Sequence, residues 1–263
     1  MNLFSRMSKS VRDVIDNRTI LLAMIRRNTA GRYKSTYMGF AWHLLLPVLM
    51  IIVLYITFTN IRTRPVEDFW IYLSSGMFPI MFISSSLRGR AILNNANYIT
   101  KMKFPREIVI IASVVTDFLS VVFAYVFIIM AILLSGQYVD WLGMALIPVE
   151  LFLMLIFCLG CSMLISTVTV FVKDIGYFMS VMMRLVFWIT PTFFFISEAK
   201  GLLLDIVWFN PFTYYVETFH QILYYGVVPD AFYLLISVAL SVIFLLLGCF
   251  VFFRYEKKFP EVL

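Results

Sequence analysis

The chain alternates long, uninterrupted apolar runs with short polar segments, and the run lengths set the architecture. Six runs stand out: Phe40–Asn60, Trp70–Leu87, Glu107–Leu134, Trp141–Val172, Gly176–Ile196 and Phe232–Phe253. A helix of ~20 apolar residues crosses the hydrocarbon core of a bilayer. Spanning β-strands would alternate apolar and polar residues in segments of about 10, whereas these runs are continuous. The pattern predicts an all-α integral membrane protein with six transmembrane helices.

Two stretches depart from this alternation. Asp13–Asn28 places Val14, Ile15, Leu21, Leu22 and Ile25 near one face, with Asp13, Asp16, Asn17, Arg27 and Asn28 largely away from it. That predicts an amphipathic helix at the membrane interface. Between the last two runs, Leu202–Phe209 is apolar, Asn210-Pro211 breaks it, and Phe212–Tyr225 is rich in aromatic residues. Each piece is too short to span, and non-helical backbone at membrane depth must be buried in protein or line water. Two re-entrant half-helices joined at Asn210-Pro211 fit; an interfacial hairpin is the alternative. With no linker or convincing repeat, the chain divides into an N-terminal segment, residues 1–39, carrying the interface helix, and one six-helix membrane domain, residues 40–263.

Composition agrees: 62% of residues are hydrophobic and 14% charged, far from a soluble balance. A net charge of +6 would suit nucleic acid, but its distribution reports topology instead. With the N-terminus inside, 18 of the 21 Lys and Arg fall on inner segments, and only Arg62, Arg64 and Lys200 lie outside. That bias predicts an N-in, C-in orientation. The first apolar block follows a long basic segment and is long enough to stay as a helix rather than be cleaved.

Little catalytic chemistry is legible. Cys158, Cys161 and Cys249 all lie in apolar runs and read as small buried hydrophobes. His43 and His220 lack metal-ligand spacing; His43 sits at a membrane boundary, and His220 is a candidate to face water. No nucleophile–base motif stands out. Charged groups inside membrane runs are functional candidates, and three occur: Asp117, Glu150 and Arg184. Structural pairing within the bundle and a proton path are both open.

The junction Ile25–Pro47 joins basic and aromatic residues to the first apolar run, as expected where an interfacial helix turns into the membrane. A second cytoplasmic segment, Asn94–Arg106, mixes polar residues with Tyr98, Ile99, Met102 and Phe104 and puts Pro105 at the start of the next helix. It is either a docking element or a loop on lipid.

Three separated blocks then resemble one family. They are R-Y-K-S-T-Y-M-G-F-A-W-H-L-L-L-P at Arg32–Pro47, N-Y-I-T-K-M-K-F-P-R-E at Asn97–Glu107, and a third running from V-K-D-I at Val172–Ile175 through Thr190-Pro191 to N-P-F-T-Y-Y-V-E at Asn210–Glu217. Their order, spacing and topology resemble the permease subunit of type-2 ABC exporters, in particular those moving O-antigen, capsule or teichoic acid. Met38-Gly39 stands where the family usually has Leu-Gly, and Lys173-Asp174 where it often has Arg-Asp.

The resemblance implies a homodimeric permease in the bacterial inner membrane, working with two copies of a separate ABC ATPase that binds ATP and magnesium. The chain has no G-x-x-x-x-G-K-[ST] phosphate loop, so no cofactor is expected in it and it is not expected to be an enzyme. The substrate implied is an undecaprenyl-pyrophosphate-linked polysaccharide, most simply O-antigen, moved from cytoplasm to periplasm. Asn94, Asn97, Tyr98, Ile99, Met102 and Phe104 would form the ATPase-coupling element. Asn210, Pro211, Tyr214, Tyr215, Glu217 and His220 would form a periplasmic gate.

Two further sets follow from physical reasoning. Arg26, Arg27, Arg32 and Lys34 make an anion-attracting cluster suited to the lipid pyrophosphate; topology and lipid anchoring are the alternative. Aromatic faces suit a sliding sugar polymer. Trp188 and Phe195 are expected on one helical face, with Tyr177 and Arg184 near it and Tyr55 and Phe58 on the first helix as further channel-lining candidates. Packing or lipid contact is the alternative for each. Two other functions fit the same architecture: a type-2 exporter of small hydrophobic compounds, or an ion-coupled transporter using Asp117 and Glu150.

Overall fold

In the computed structural model the described residues are 3–31, 42–61, 66–102 and 104–263, and among them the regular structure is entirely helical. Helices α1 (Leu3–Asp16) and α2 (Arg18–Gly31) precede α3 (Trp42–Ile61) and α4 (Phe69–Ser86). A short α5 (Ala96–Lys101) leads into α6 (Glu107–Ser135), α7 (Trp141–Phe171) and α8 (Asp174–Ile189). The chain ends with α9 (Leu202–Phe209), α10 (Pro211–Leu223), α11 (Ala231–Tyr255) and α12 (Phe259–Val262). Helices occupy all six predicted runs. By length and composition, Glu107–Ser135, Trp141–Phe171 and Ala231–Val262 are each able to cross a membrane.

The bundle is organised around α7 and α11, which lie against each other over much of their length. Gly160 and Gly248 make this possible. A Cβ on Gly160 would collide with the Phe244 and Leu245 backbone, and one on Gly248 with the Gly160 carbonyl. Small residues at such a crossing let helix backbones approach in lipid, where apolar burial does not drive association. A polar seam runs alongside: Ser237 Oγ donates to Glu150 Oε1 at 2.9 Å, and Ser241 Oγ to the Leu153 carbonyl at 2.8 Å. Glu150 is therefore a fully enclosed structural partner of α11. The three cysteines are buried too, with Cys249 Sγ 3.8 Å from Met163 Sδ.

Helix α4 is almost wholly buried between α3, α6 and α10. By contrast, α3 rests mainly on α4 and leaves Leu46, Leu49, Ile52, Val53 and Ile56 exposed.

Three expectations need correction. The interface helix is two helices meeting at Asn17, whose Nδ2 donates to the Asp13 carbonyl at 2.8 Å and competes with the helical ladder there. Of its predicted apolar face, Val14, Leu21 and Ile25 pack on the core with Met7 and Ile20, whereas Ile15 and Leu22 are exposed. The fifth apolar run is not helical to Ile196: α8 stops at Ile189. Pro191 forces the residue before it into extended backbone, and Thr190 has φ −70° and ψ 138°. Trp188 and Phe195 therefore do not share a helical face.

Candidate functional site

A cavity of ≈ 1120 Å³ lies among α2, α3, α4, α6, α7 and α8. Among the described residues its charged lining comes from four arginines, Arg27, Arg88, Arg90 and Arg184, against Asp117. The turn after α4 sets two of them. Gly89 adopts φ +67°, and a Cβ there would strike Ile165 and Thr169, so the glycine lets the turn press against α7. Arg88 and Arg90 flank it and border the cavity from either side of the turn. The Arg90 guanidinium lies 3.9 Å from the Tyr177 ring centroid, a cation–π contact that steadies it against α8. Arg184 Nε donates to the Ser180 carbonyl at 3.3 Å.

Serines supply most of the remaining polarity: Ser84, Ser85 and Ser86 from the end of α4, Ser113 from α6, Ser162 from α7 and Ser180 from α8. Met183, Phe187 and Trp188 add an apolar wall on α8. A surplus of arginine in a concave, partly apolar space favours an anion, and the guanidinium fork matches phosphate oxygens.

The sequence candidates are partly gathered here. Arg27, Asn94, Asp117, Arg184 and Trp188 line the cavity, with Tyr177 beneath Arg90. Arg26 is exposed and does not line it. Arg32 and Lys34 lie outside the described residues, as does the side chain of His43. On α3, Tyr55 is exposed, and the ring of Phe58 stacks on Phe193 at 5.8 Å between centroids. The Phe195 ring lies 4.3 Å from that of Tyr72, between centroids, in an aromatic cluster beyond the C-terminal end of α8. Arg88, Arg90, Asn95 and the three serines were not singled out from sequence, although S-S-S-L-R-G-R at Ser84–Arg90 carries the signal in one polar run between apolar helices.

The coupling candidates fall on α5 and its flanks. Ile99 is buried, Phe104 half-buried, and Asn97, Tyr98 and Met102 exposed. Tyr98 on α5 and Met102 at its C-terminal end are thus large side chains left on the surface.

At the other end of the bundle, α9 and α10 meet at Asn210. Its Oδ1 accepts from the Phe212 amide at 3.0 Å, capping α10, while its Nδ2 donates to Thr190 Oγ1 at 2.8 Å. Pro211 occupies the first turn of α10, where no N–H is needed. Tyr214 donates to the Trp208 carbonyl at 2.8 Å, and Tyr215 to the Ser237 carbonyl at 3.0 Å. His220 does not face water. It is wholly enclosed, with Nδ1 3.2 Å from Glu217 Oε2, Nε2 3.1 Å from the Tyr72 carbonyl, and its ring stacked 3.8 Å from that of Tyr72. Gly76 creates the space: a Cβ there would sit 2.6 Å from His220 Nε2. Tyr72 in turn donates to the Phe194 carbonyl at 2.7 Å and the Pro191 carbonyl at 3.2 Å, satisfying backbone freed by the end of α8.

Residues 19–224 match the model of a protein family described as ABC-2 type transporter. The chain is 26% identical over 262 residues to an O-antigen export system permease protein of Myxococcus xanthus, covering 97% of this chain and 99% of that one. It is 24% and 23% identical to two O-antigen export system permease proteins of Klebsiella pneumoniae, each match covering 93% of this chain and 95% of the relative. With its long apolar helices, the chain is a multi-pass membrane protein that belongs to the ABC-2 type transporter family.

Proposed function

We propose that this chain is the permease subunit of an ATP-driven exporter that moves an O-antigen-type polysaccharide, carried on undecaprenyl pyrophosphate, from the cytoplasm to the periplasm. In this reading it is a transport subunit with no chemistry of its own. Two copies form the pathway in the inner membrane, and a separate ABC ATPase supplies the energy. The six runs span the membrane, with both termini inside.

The observation that carries the proposal is the arginine-lined cavity at the end of the bundle adjoining α2 and α5. On this topology it opens to the cytoplasm, where a lipid-linked pyrophosphate would be collected. Four guanidiniums against one carboxylate, among the described residues, favour that headgroup. They do not favour an uncharged hydrophobic compound, and Glu150, bonded to Ser237 away from the cavity, makes a poor second station for a proton path with Asp117. Tyr98 on α5 and Met102 just after it are the natural contact for the ATPase, and α9–α10 closes the outer end.

Deletion of the gene, followed by analysis of glycan on the surface and of lipid-linked glycan inside, tests this directly. The expected result is loss of surface polysaccharide with accumulation of the lipid-linked form. Normal surface polysaccharide in the deletion strain would refute the assignment.

A further inference from the structure

Arg27 stands where two regions meet. Its side chain lines the inner cavity. Its Nη2 also donates to Asn95 Oδ1 at 2.5 Å and to Asn28 Oδ1 at 3.2 Å. Its guanidinium lies 4.7 Å from the centroid of the Tyr98 ring. Asn95 is enclosed and fixed by its own donation to the Ala91 carbonyl at 2.8 Å, whereas Tyr98 is on the exposed face of α5. One guanidinium therefore touches the space suited to an anion and also the helix best placed to meet an ATPase. Arg90 and Arg184 are tied to α8 instead, through Tyr177 and Ser180.

A guanidinium has five N–H donors in a rigid fork and a flat face that stacks on aromatic rings. Asn95 and Tyr98 are neutral partners. A phosphate oxygen carries a full negative charge, so it adds coulombic attraction to the guanidinium that a neutral amide oxygen or ring face lacks, and it offers a second oxygen for a bidentate pair. An anion entering the cavity competes with Asn95 and Tyr98 for the same group.

We propose that Arg27 is a positioning residue that links occupancy of the cavity to α5. With the cavity empty, it clamps α5 to α2; a pyrophosphate headgroup draws it off Asn95 and Tyr98 and releases α5. The inference rests on the anionic-substrate reading above and adds how that substrate is signalled to the ATPase. By linkage the effect runs both ways, so a state of the ATPase that holds α5 away from Arg27 raises headgroup affinity by the same factor.

The test uses the permease assembled with its partner ATPase in nanodiscs and undecaprenyl pyrophosphate without glycan as the probe. Two quantities are read: the affinity for the lipid, and the ratio of ATPase rates with and without it. The wild-type complex binds the lipid and its rate changes severalfold. Arg27→Gln assembles and binds more weakly, through the remaining arginines, and its ratio is one. Arg27→Lys keeps the charge but loses the fork and flat face; it binds the lipid and also has a ratio of one. Asn95→Ala removes the competing acceptor and binds about tenfold tighter, the worth of one charge-assisted hydrogen bond. A purely structural α2–α5 contact would weaken binding in Arg27→Gln and Asn95→Ala alike, so the opposite signs are diagnostic. A wild-type ratio in Arg27→Gln, or lipid binding no tighter in Asn95→Ala, overturns the inference alone. A wild-type complex that ignores the lipid overturns the reading of the cavity, and the inference falls with it.

Discussion

The two polar regions of the bundle are built in opposite ways. At the cavity end, charge faces open space: Arg88 and Arg184 are exposed, and the walls between them carry serine hydroxyls. At the other end, polar groups turn inward and meet partners. His220 is held on both ring nitrogens, Tyr215 by Ser237 and Ser241, and Tyr72 by two carbonyls. A sealed polar cluster fixes geometry but is costly to break, because a partner left behind is buried and unsatisfied. A charge facing open space adds little to stability and is available to a ligand. On the proposed function, the His220 cluster serves stability and the arginines serve the ligand, and four substitutions test that division.

The largest expected effect is on folding, from Gly76→Leu. The new Cβ would lie 2.6 Å from His220 Nε2 and 3.2 Å from the Thr192 Cα. The imidazole is pinned and the other neighbour is backbone, so neither yields cheaply. Overpacking of this kind costs about 3 kcal/mol or more, and little folded protein should be recovered from membranes. His220→Leu comes next. It keeps the volume but leaves Glu217 and the Tyr72 carbonyl without their buried partner, at a cost of about 1–3 kcal/mol each. A lower thermal midpoint in detergent is the expected reading; an unchanged midpoint would show that other contacts hold α10 against α4.

At the cavity end the expectation reverses. Arg88→Gln with Arg184→Gln removes two exposed charges, so stability should stay within about 0.5 kcal/mol. On the proposed function, each lost charge-assisted bond to a phosphate is worth about tenfold in headgroup affinity. Export in cells should fall sharply while the amount of folded permease is unchanged. A double variant that exports normally would remove these arginines from the substrate path.

Most of the helices were legible because run length and apolar composition are properties of the chain itself. The break at Asn210-Pro211 was legible for the same reason, since asparagine and proline act on their own neighbourhood. Phe195 was misplaced for a local reason as well: Pro191 ends α8 through the residue before it, and the apolar run conceals that stop. The site was harder to read because its members lie far apart in sequence. Arg27 is legible as one of the basic cluster Arg26, Arg27, Arg32 and Lys34, and Arg184 as a single charge in an apolar run, but only the fold brings the two to the turn made by Gly89. His220 shows the opposite limit. Nothing local distinguishes a histidine facing water from one enclosed by Gly76 and Tyr72, because the enclosing residues are 144 and 148 positions away.

The smallest predicted effect concerns the corner beneath α5, which lies between these extremes. Here α1, the start of α6 and the end of α11 meet around a half-buried cluster. Ser10 Oγ donates to Glu107 Oε1 at 2.6 Å, Arg6 to the Phe253 carbonyl at 2.9 Å, and Arg106 to the Glu256 carbonyl. Burial raises the Glu256 carboxyl above its ordinary value of 4.5, and the neighbouring Glu107 pushes it the same way. Arg106, Arg6 and Lys257 pull it back in part. Because the folded value lies above the unfolded one, folding favours the protonated acid. The stability this gives is fully present below the unfolded value and is lost as pH rises through the folded value. At neutral pH the ionised carboxylate therefore opposes folding slightly. Glu256→Gln keeps the shape without the charge and should raise the thermal midpoint by ~1–2 °C at pH 8, with the difference shrinking towards pH 4. A glutamine variant less stable at pH 8 would mean that the three basic neighbours outweigh burial, and would place this corner with the matched polar cluster around His220.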